Sequence, residues 1–230
     1  MELYGVRIDE VTVEEAVARA MGSVRCVVFT PNAVMLDACR RDRSIADLLN
    51  RADLSLADGQ GVLMAARRCG RALPCRVSGI DFAEALMERA EGARIFLLGG
   101  KAGVAEVAAE RLRARYPSID VCGCHHGYFE KTGAENVRVR EQINACRPDL
   151  LFVCLGFPLQ ERWIAENVQA LSSVRVAVGL GGSLDVWSER IRRAPHFVRF
   201  LRLEWAWRML REPKRLRHLP ALLRIAFLRE

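Results

Sequence analysis

Asp149-Leu150-Leu151-Phe152-Val153-Cys154-Leu155-Gly156-Phe157-Pro158-Leu159-Gln160-Glu161-Arg162-Trp163 is an apolar run that breaks at Gly-x-Pro and resumes with polar residues. Because the run is apolar throughout and does not alternate, it reads as a strand covered on both faces, the pattern of a parallel sheet flanked by helices. Gly156 and Pro158 then turn the chain, and Gln160, Glu161 and Trp163 fall on the first turns of a helix. In doubly wound sheets ligand crevices open at strand C-termini, beside helix N-termini whose N–H groups seek partners. The segment therefore marks a site. Gln160 and Glu161 suit hydroxyl groups or a uracil-type edge of a ligand, and capping the helix is the alternative. A turn shaped by Gly156 and Pro158 needs no polar pair for its stability, which favours ligand contact.

Working outward, similar apolar runs occur near Cys26–Thr30, Leu54–Ala57, Ile95–Leu98 and Val174–Val178, with a weaker one near Ile119–Cys122. Helical patterns separate them. Thr12-x-x-Glu15 is a capping box ahead of Ala16 to Met21, and Asn32 can cap a helix running through Leu36, Cys39 and Leu49. Val104, Val107, Ala108 and Leu112 form an amphipathic stripe that ends near Tyr116-Pro117. This alternation, with short connections, predicts an α/β fold: a Rossmann-like, doubly wound, mostly parallel sheet. After Asp185 it gives way to Arg, Leu, Phe and Trp. Phe197 to Leu210 and Lys214 to Leu228 read as two helices parted at Glu212-Pro213, with a further break at Pro220. The expected organisation is a core over 1–189 and a basic helical appendage over 190–230.

The 230 residues carry a formal charge of +7, unevenly placed. Residues 190–230 hold 12 Lys and Arg against 3 Asp and Glu, whereas 1–189 hold 23 against 25, so a nearly neutral core bears a cationic tail. Eight cysteines without a C-x-x-C spacing indicate neither a zinc ribbon nor a disulfide framework and fit a reducing cytosol. Met1 to Gly5 lacks the basic and apolar regions of an export signal, and no apolar run approaches the roughly 18 to 20 residues that span a bilayer. The tail arginines, interleaved with Phe197, Phe200, Leu201, Trp205 and Trp207, suit an anionic bilayer surface, each nearby cation contributing on the order of 1 kcal/mol. Nucleic-acid phosphates and simple packing of the tail on the core compete with that reading, although the core offers no recognisable nucleic-acid module.

Asp58 follows a strand and precedes Gly59-x-Gly61, which puts its carboxylate at a helix N-terminus on the crevice edge. There the helix dipole favours the charged form and partial burial opposes it, a setting for a general base; a plain N-cap is the other reading. Pro31 aims Thr30 and Asn32 away from the sheet, as ligand contacts or as caps. Arg76 can neutralise a diphosphate through its forked donors, or lie solvated. Gly99-Gly100-Lys101-Ala102-Gly103 and Gly179-Leu180-Gly181-Gly182 can bring backbone close to a nucleotide diphosphate or sugar, or merely make tight turns. Neither matches a dinucleotide or P-loop fingerprint, and Thr30-Pro31-Asn32 lacks the glycine a dehydrogenase would need. Cys122, Cys124, His125 and His126 invite a metal reading, but neighbours on a short strand face opposite ways and a full ligand set is missing. With no Asp-x-Asp to hold a divalent ion, a departing diphosphate would be stabilised by arginines or helix N-termini.

In their order along the chain, Thr30-Pro31-Asn32, Asp58-Gly59-x-Gly61, Arg76-Val77-x-Gly79, the Gly-x-Pro-x-Gln-Glu of 156–161, Gly181-Gly182-x-Leu184-Asp185 and Arg193-Ala194-Pro195 resemble the WecG/TagA/CpsF family of bacterial glycosyltransferases. The similarity runs over nearly the whole chain. It implies inverting, metal-independent transfer of a sugar, N-acetylmannosamine or a related donor, from a UDP-sugar to a polyprenyl-diphosphate-linked saccharide. The products would feed teichoic acid, enterobacterial common antigen or exopolysaccharide assembly. By the same resemblance, Asp58 deprotonates the acceptor hydroxyl, Thr30, Asn32 and Gln160 orient sugars, and Arg76 with tail arginines such as Arg193 carries the departing UDP. Gly59, Gly99, Gly100, Gly156, Glu161, Gly181 and Asp185 fall to substrate binding, and Tyr128, in a family-like Gly-Tyr-Phe segment, to stacking on the base. The family also associates Arg-Ala-Pro and Leu-Glu-Trp, here Leu203-Glu204-Trp205, with membrane docking and completion of the active site. No cofactor and no nucleic acid are expected; a peripheral location on the inner face of the plasma membrane is, with a homo-oligomer implied by family self-association. The chain departs from the pattern at Cys75, where an acidic residue is usual, at Leu184, where an aromatic is, and in Val186 to Arg190, which lacks a glycine.

Overall fold

The computed structural model describes residues 1–195, 198, 206–207, 216–217 and 219–227. It opens with a hairpin, β1 (Glu2–Leu3) and β2 (Val6–Arg7), whose turn residues Tyr4 and Gly5 have φ of 51° and 77°. Positive φ at both turn positions matches the twist of paired strands, and Tyr is not a residue that advertises it.

The main sheet comprises β3 (Cys26–Phe29), β4 (Leu54–Ser55), β5 (Arg94–Gly99), β6 (Asp120–His125), β7 (Leu150–Cys154) and β8 (Val176–Gly179). Their order is β4-β3-β8-β7-β5-β6, and every neighbouring pair is parallel. All five residues of β7 are buried. Leu150, Phe152 and Cys154 join a core under α1 (Val13–Gly22), α5 (Gly79–Arg89), α6 (Val104–Arg115) and α9 (Ser183–Trp187). Leu151 and Val153 face the other core, under α2 (Ala33–Arg41), α3 (Arg43–Leu49), α4 (Gln60–Arg68), α7 (Gly133–Cys146) and α8 (Leu159–Asn167). The doubly wound α/β fold is thus the one the uniform apolar runs predict: a strand with two buried faces has nowhere to put polar side chains. Each fully buried Leu or Phe contributes roughly 1.5 to 3 kcal/mol.

Two elements differ from expectation. The single helix expected from Asn32 through Leu49 is broken at Asp42, whose backbone is extended and whose carboxylate caps α3 by accepting from Ser44 N at 2.9 Å. In the tail, most of the helix expected over Phe197 to Leu210 and the break at Glu212-Pro213 lie outside the described residues, while 198, 206 and 207 are described and helical. Beyond them, α10 (Leu219–Phe227) starts at the position read as a break, with Pro220 in its first turn, where a missing N–H leaves no helical bond unmade. Ala221 and Ile225 of α10 are buried, and its Arg224 pairs with Asp37 of α2, so this part of the tail packs on the α/β core. No helix among the described residues is long and apolar enough to cross a membrane.

Candidate active site

Because the six strands are parallel, all their C-termini share one edge. Hydrogen bonds stitch the turns along it. Asp58 N donates to Pro31 O at 2.9 Å, Thr30 Oγ1 to Gly179 O at 3.2 Å, Gly100 N to Cys154 O at 3.3 Å and Gly127 N to Gly100 O at 2.8 Å. Neighbouring β5 and β7 send their following helices, α6 and α8, to opposite faces of the sheet. Such a divergence opens a crevice at the strand ends, where doubly wound proteins bind ligands.

Asp58 sits beyond β4, partly buried. The N-cap of α4 is Gly59, with φ of 97°, so the carboxylate lies one residue outside the cap and the plain N-cap reading does not describe it. Only glycine adopts this φ without strain, which lets the chain present residue 58 and enter a helix at once. Asn32 caps α2, its Oδ1 accepting from Val34 N at 3.0 Å and Met35 N at 3.3 Å. Thr30 is buried, and its hydroxyl ties β3 to the end of β8.

Gln160 is 4% exposed and bridges two turns. Its Oε1 accepts from Gly156 N at 3.2 Å and from Gly181 N at 2.9 Å, while Nε2 donates to Glu161 Oε1 at 2.8 Å. The Gly-x-Pro turn does use this polar pair, contrary to the sequence argument, because two glycine N–H groups need an acceptor and leaving each unmade would cost about 1 to 3 kcal/mol. Glu161 is fully buried, with Oε2 lacking any hydrogen-bond partner. Burial pushes its carboxyl up to about 7, against the Gln160 hydrogen bond that favours the charged form.

Val77 N donates to Ala57 O at 3.0 Å, which ties the segment carrying Arg76 to the chain just past β4. With Cys75 in the usual acidic place, Arg76 pairs instead with Asp81 Oδ2 at 3.3 Å, on the first turn of α5. Arg193 from the tail also reaches Asp81, through Nη2 to Oδ1, and Glu84 at 3.4 Å. Glu84 is held in turn by Arg115 at 3.2 Å and by Trp187 Nε1 at 3.2 Å. Burial would raise the Asp81 carboxyl, but the Ser78 hydrogen bond and the Arg193 and Arg76 guanidiniums outweigh it and hold it below the ordinary range. Two guanidiniums therefore share one ionised carboxylate on α5, and Arg193 Nε is buried without a hydrogen-bond partner. For Asp81 the sequence carries one signal, the helix-start spacing Ser78-x-x-Asp81, and for Glu84 it carries none.

The remaining candidates are spread along the same edge. Gly99 has φ of 141°, and a Cβ there would lie 2.3 Å from Cys154 O, so this glycine serves the close approach of β5 to β7. Tyr128 is 71% exposed on the turn after β6, a turn pinned by Lys131 Nζ, which donates to Gly127 O at 2.7 Å. Asp185 lies in the first turn of α9, 4.0 Å from Arg190 Nε. The segment without its glycine puts Glu189 at φ of 57°, just past the end of α9, where left-handed backbone commonly closes a helix. Cys122 Sγ donates to Ile95 O at 3.3 Å and the His125 ring meets Phe129 edge-on. Away from all of these, a hollow of ≈ 670 Å³ lies at the opposite edge, among Arg25, Arg51, Asp53, Gln169 and Arg175. Arg25 there is engaged with Val174 O, Leu171 O and Gln169.

The model of the glycosyl transferase WecG/TagA/CpsF family matches residues 1–229. The chain belongs to this family. It is 35% identical over 194 residues to the N-acetylglucosaminyldiphosphoundecaprenol N-acetyl-beta-D-mannosaminyltransferase of Bacillus subtilis (strain 168), covering 84% of this chain and 74% of that protein. An enzyme of the same name from Staphylococcus aureus (strain MRSA252) is 31% identical over 230 residues, covering 96% of this chain and 89% of its own. The protein is accordingly a glycosyltransferase.

Proposed function

We propose that this WecG/TagA/CpsF-family glycosyltransferase moves N-acetylmannosamine from its UDP-sugar to N-acetylglucosamine carried on a polyprenyl diphosphate, with inversion and without a metal ion. The observation that supports this most is the bond from Val77 N to Ala57 O, which ties the segment carrying Arg76 to the segment carrying Asp58 and so draws a cation and a carboxylate toward one strand end. Inverting transfer needs both. The carboxylate takes the proton from the acceptor hydroxyl as its oxygen attacks the anomeric carbon, and the glycosidic electron pair leaves with UDP. Arg76 and Arg193, which share Asp81, are the cations available to the diphosphate charge as it develops. Gln160, Thr30 and Gly99 act from beneath as the frame that fixes the turns, while Asn32, Tyr128 and Asp185 offer side chains along the edge.

The transferred sugar and the acceptor follow the names of the bacterial relatives, and UDP as the carrier follows the motif resemblance. A lipid-linked acceptor supports a peripheral position on the inner face of the plasma membrane, with the 12 basic against 3 acidic residues of 190–230 supplying attraction to anionic lipid. Purified protein incubated with a panel of UDP-sugars and a synthetic N-acetylglucosaminyl-diphosphoryl-prenol, with chelator present, tests the reading by mass spectrometry. The expected result is one N-acetylhexosamine added from UDP-N-acetylmannosamine at an undiminished rate in chelator. Product from another donor alone would reassign the sugar, and no product from any donor would overturn transfer to this acceptor.

A further inference from the structure

Asp37, in the middle of α2, is fully buried yet faces three arginines. Arg224 of α10 grips it with both ends of its fork, Nε to Oδ1 at 2.8 Å and Nη2 to Oδ2 at 2.7 Å. Arg41 approaches Oδ2 at 3.1 Å and Arg40 approaches Oδ1 at 3.8 Å. The Arg224 hydrogen bonds, joined by the two neighbouring guanidiniums, hold the Asp37 carboxyl below its ordinary range in spite of burial. An ion pair with its carboxylate buried is a poor way to gain stability, since apolar residues of equal volume often do as well; what it does confer is one geometry, because a forked donor fits a carboxylate in few orientations.

That geometry sets the rotation of α10, and the rotation has a target. With Arg224 on Asp37, Leu222 falls on the second residue of α4: a Cβ at Gly61 would lie 3.2 Å from Leu222 Cδ1 and 2.7 Å from Ala33 Cβ. The start of α4 is therefore wedged between the start of α2 and the C-terminal helix. Gly61 is three residues from Asp58, and Asp58 N is bonded to Pro31, two residues before α2 begins. We infer that Arg224 and Asp37 form a positioning clamp, by which the C-terminal helix holds the first turn of α4 and with it the Asp58-Gly59 turn. Arg224 touches no reacting atom in this account; it acts through Leu222 and Gly61. The inference rests on the reading of Asp58 as the base only for its effect on turnover, not for its effect on the turn.

Arg224→Ala and Arg224→Lys, made in the full chain, separate the two. Hydrogen exchange of a peptide covering 56–63 is expected to speed up in Arg224→Ala, while protected amides of β5 and β7 keep their rates. With UDP-N-acetylmannosamine, kcat is expected to fall about tenfold with KM for the donor little changed, as for a misplaced group that binds nothing itself. Arg224→Lys, which keeps the charge but not the fork, should fall between, and guanidinium added to Arg224→Ala should recover part of kcat. Unchanged exchange over 56–63 in Arg224→Ala overturns the clamp whatever the activity does. Asp58→Asn, run alongside, reports on the catalytic reading separately: if it keeps its turnover that reading fails, and the exchange data still decide the clamp.

Discussion

Asp58→Asn loses transfer, with the single-turnover rate down by about 10²- to 10⁴-fold, the usual contribution of a positioned general base. UDP affinity stays close to that of the wild type. The amide has the size of the carboxylate, and the main-chain bond from residue 58 to Pro31 O does not involve the side chain, so the turn keeps its path. What disappears is the capacity to accept a proton from the acceptor hydroxyl. Because the lost interaction belongs to the transition state, kcat and kcat/KM fall together and donor binding does not. Isothermal titration with UDP and rapid-quench transfer on the same preparation check both halves. Wild-type turnover by the variant would remove Asp58 from the chemistry, and lost UDP binding would recast it as a ligand contact.

Glu161→Gln changes the pH dependence of stability. Burial raises the Glu161 carboxyl from the ordinary 4.5 to about 7, so between those values the folded protein holds a proton that the unfolded chain has released. The folded state therefore weakens as pH rises through this window, and the buried carboxylate, once ionised, opposes folding by roughly 2 to 3 kcal/mol between pH 5 and pH 8. Gln at 161 is neutral throughout and still offers an oxygen to Gln160 Nε2. Urea unfolding should show the variant gaining on the wild type by that amount from pH 5 to pH 8. Stability curves that run parallel across this range would show that Glu161 is not held protonated.

Much of this architecture is legible in the chain because the strands are apolar on both faces. Cys26 to Phe29 and Leu150 to Cys154 admit one environment only, and their parallel order gathers the turns at Asp58, Gly99, Gly127, Gly156 and Gly181 on one edge. What local pattern does not carry is direction. Whether the Gln160 amide points outward to a ligand or inward to Gly181 N, 21 residues on, depends on how β7 and β8 stack, and the structure turns it inward. Gln160, Glu161 and Asn167 occupy the buried side of α8 although each is polar, so a reading by hydropathy assigns them to solvent or to a ligand. Arg193 to Asp81 and Arg224 to Asp37 join residues 112 and 187 positions apart. No spacing rule reaches that far. The break between α2 and α3 was closer to hand, since Asp42 followed by Ser44 is a helix-start signal set against an otherwise continuous apolar stripe.

Photolabelling with an azido-UDP tests most directly the claim that donor chemistry occurs at the C-terminal ends of the parallel strands. Adducts are expected in the turns that follow β4 to β8 and in the segment between α4 and α5, on peptides carrying Asp58, Arg76, Lys101, Tyr128 or Asp185, with labelling competed by UDP. Competed adducts confined to Arg25, Arg51, Gln169 or Arg175, around the hollow at the opposite edge, would contradict it.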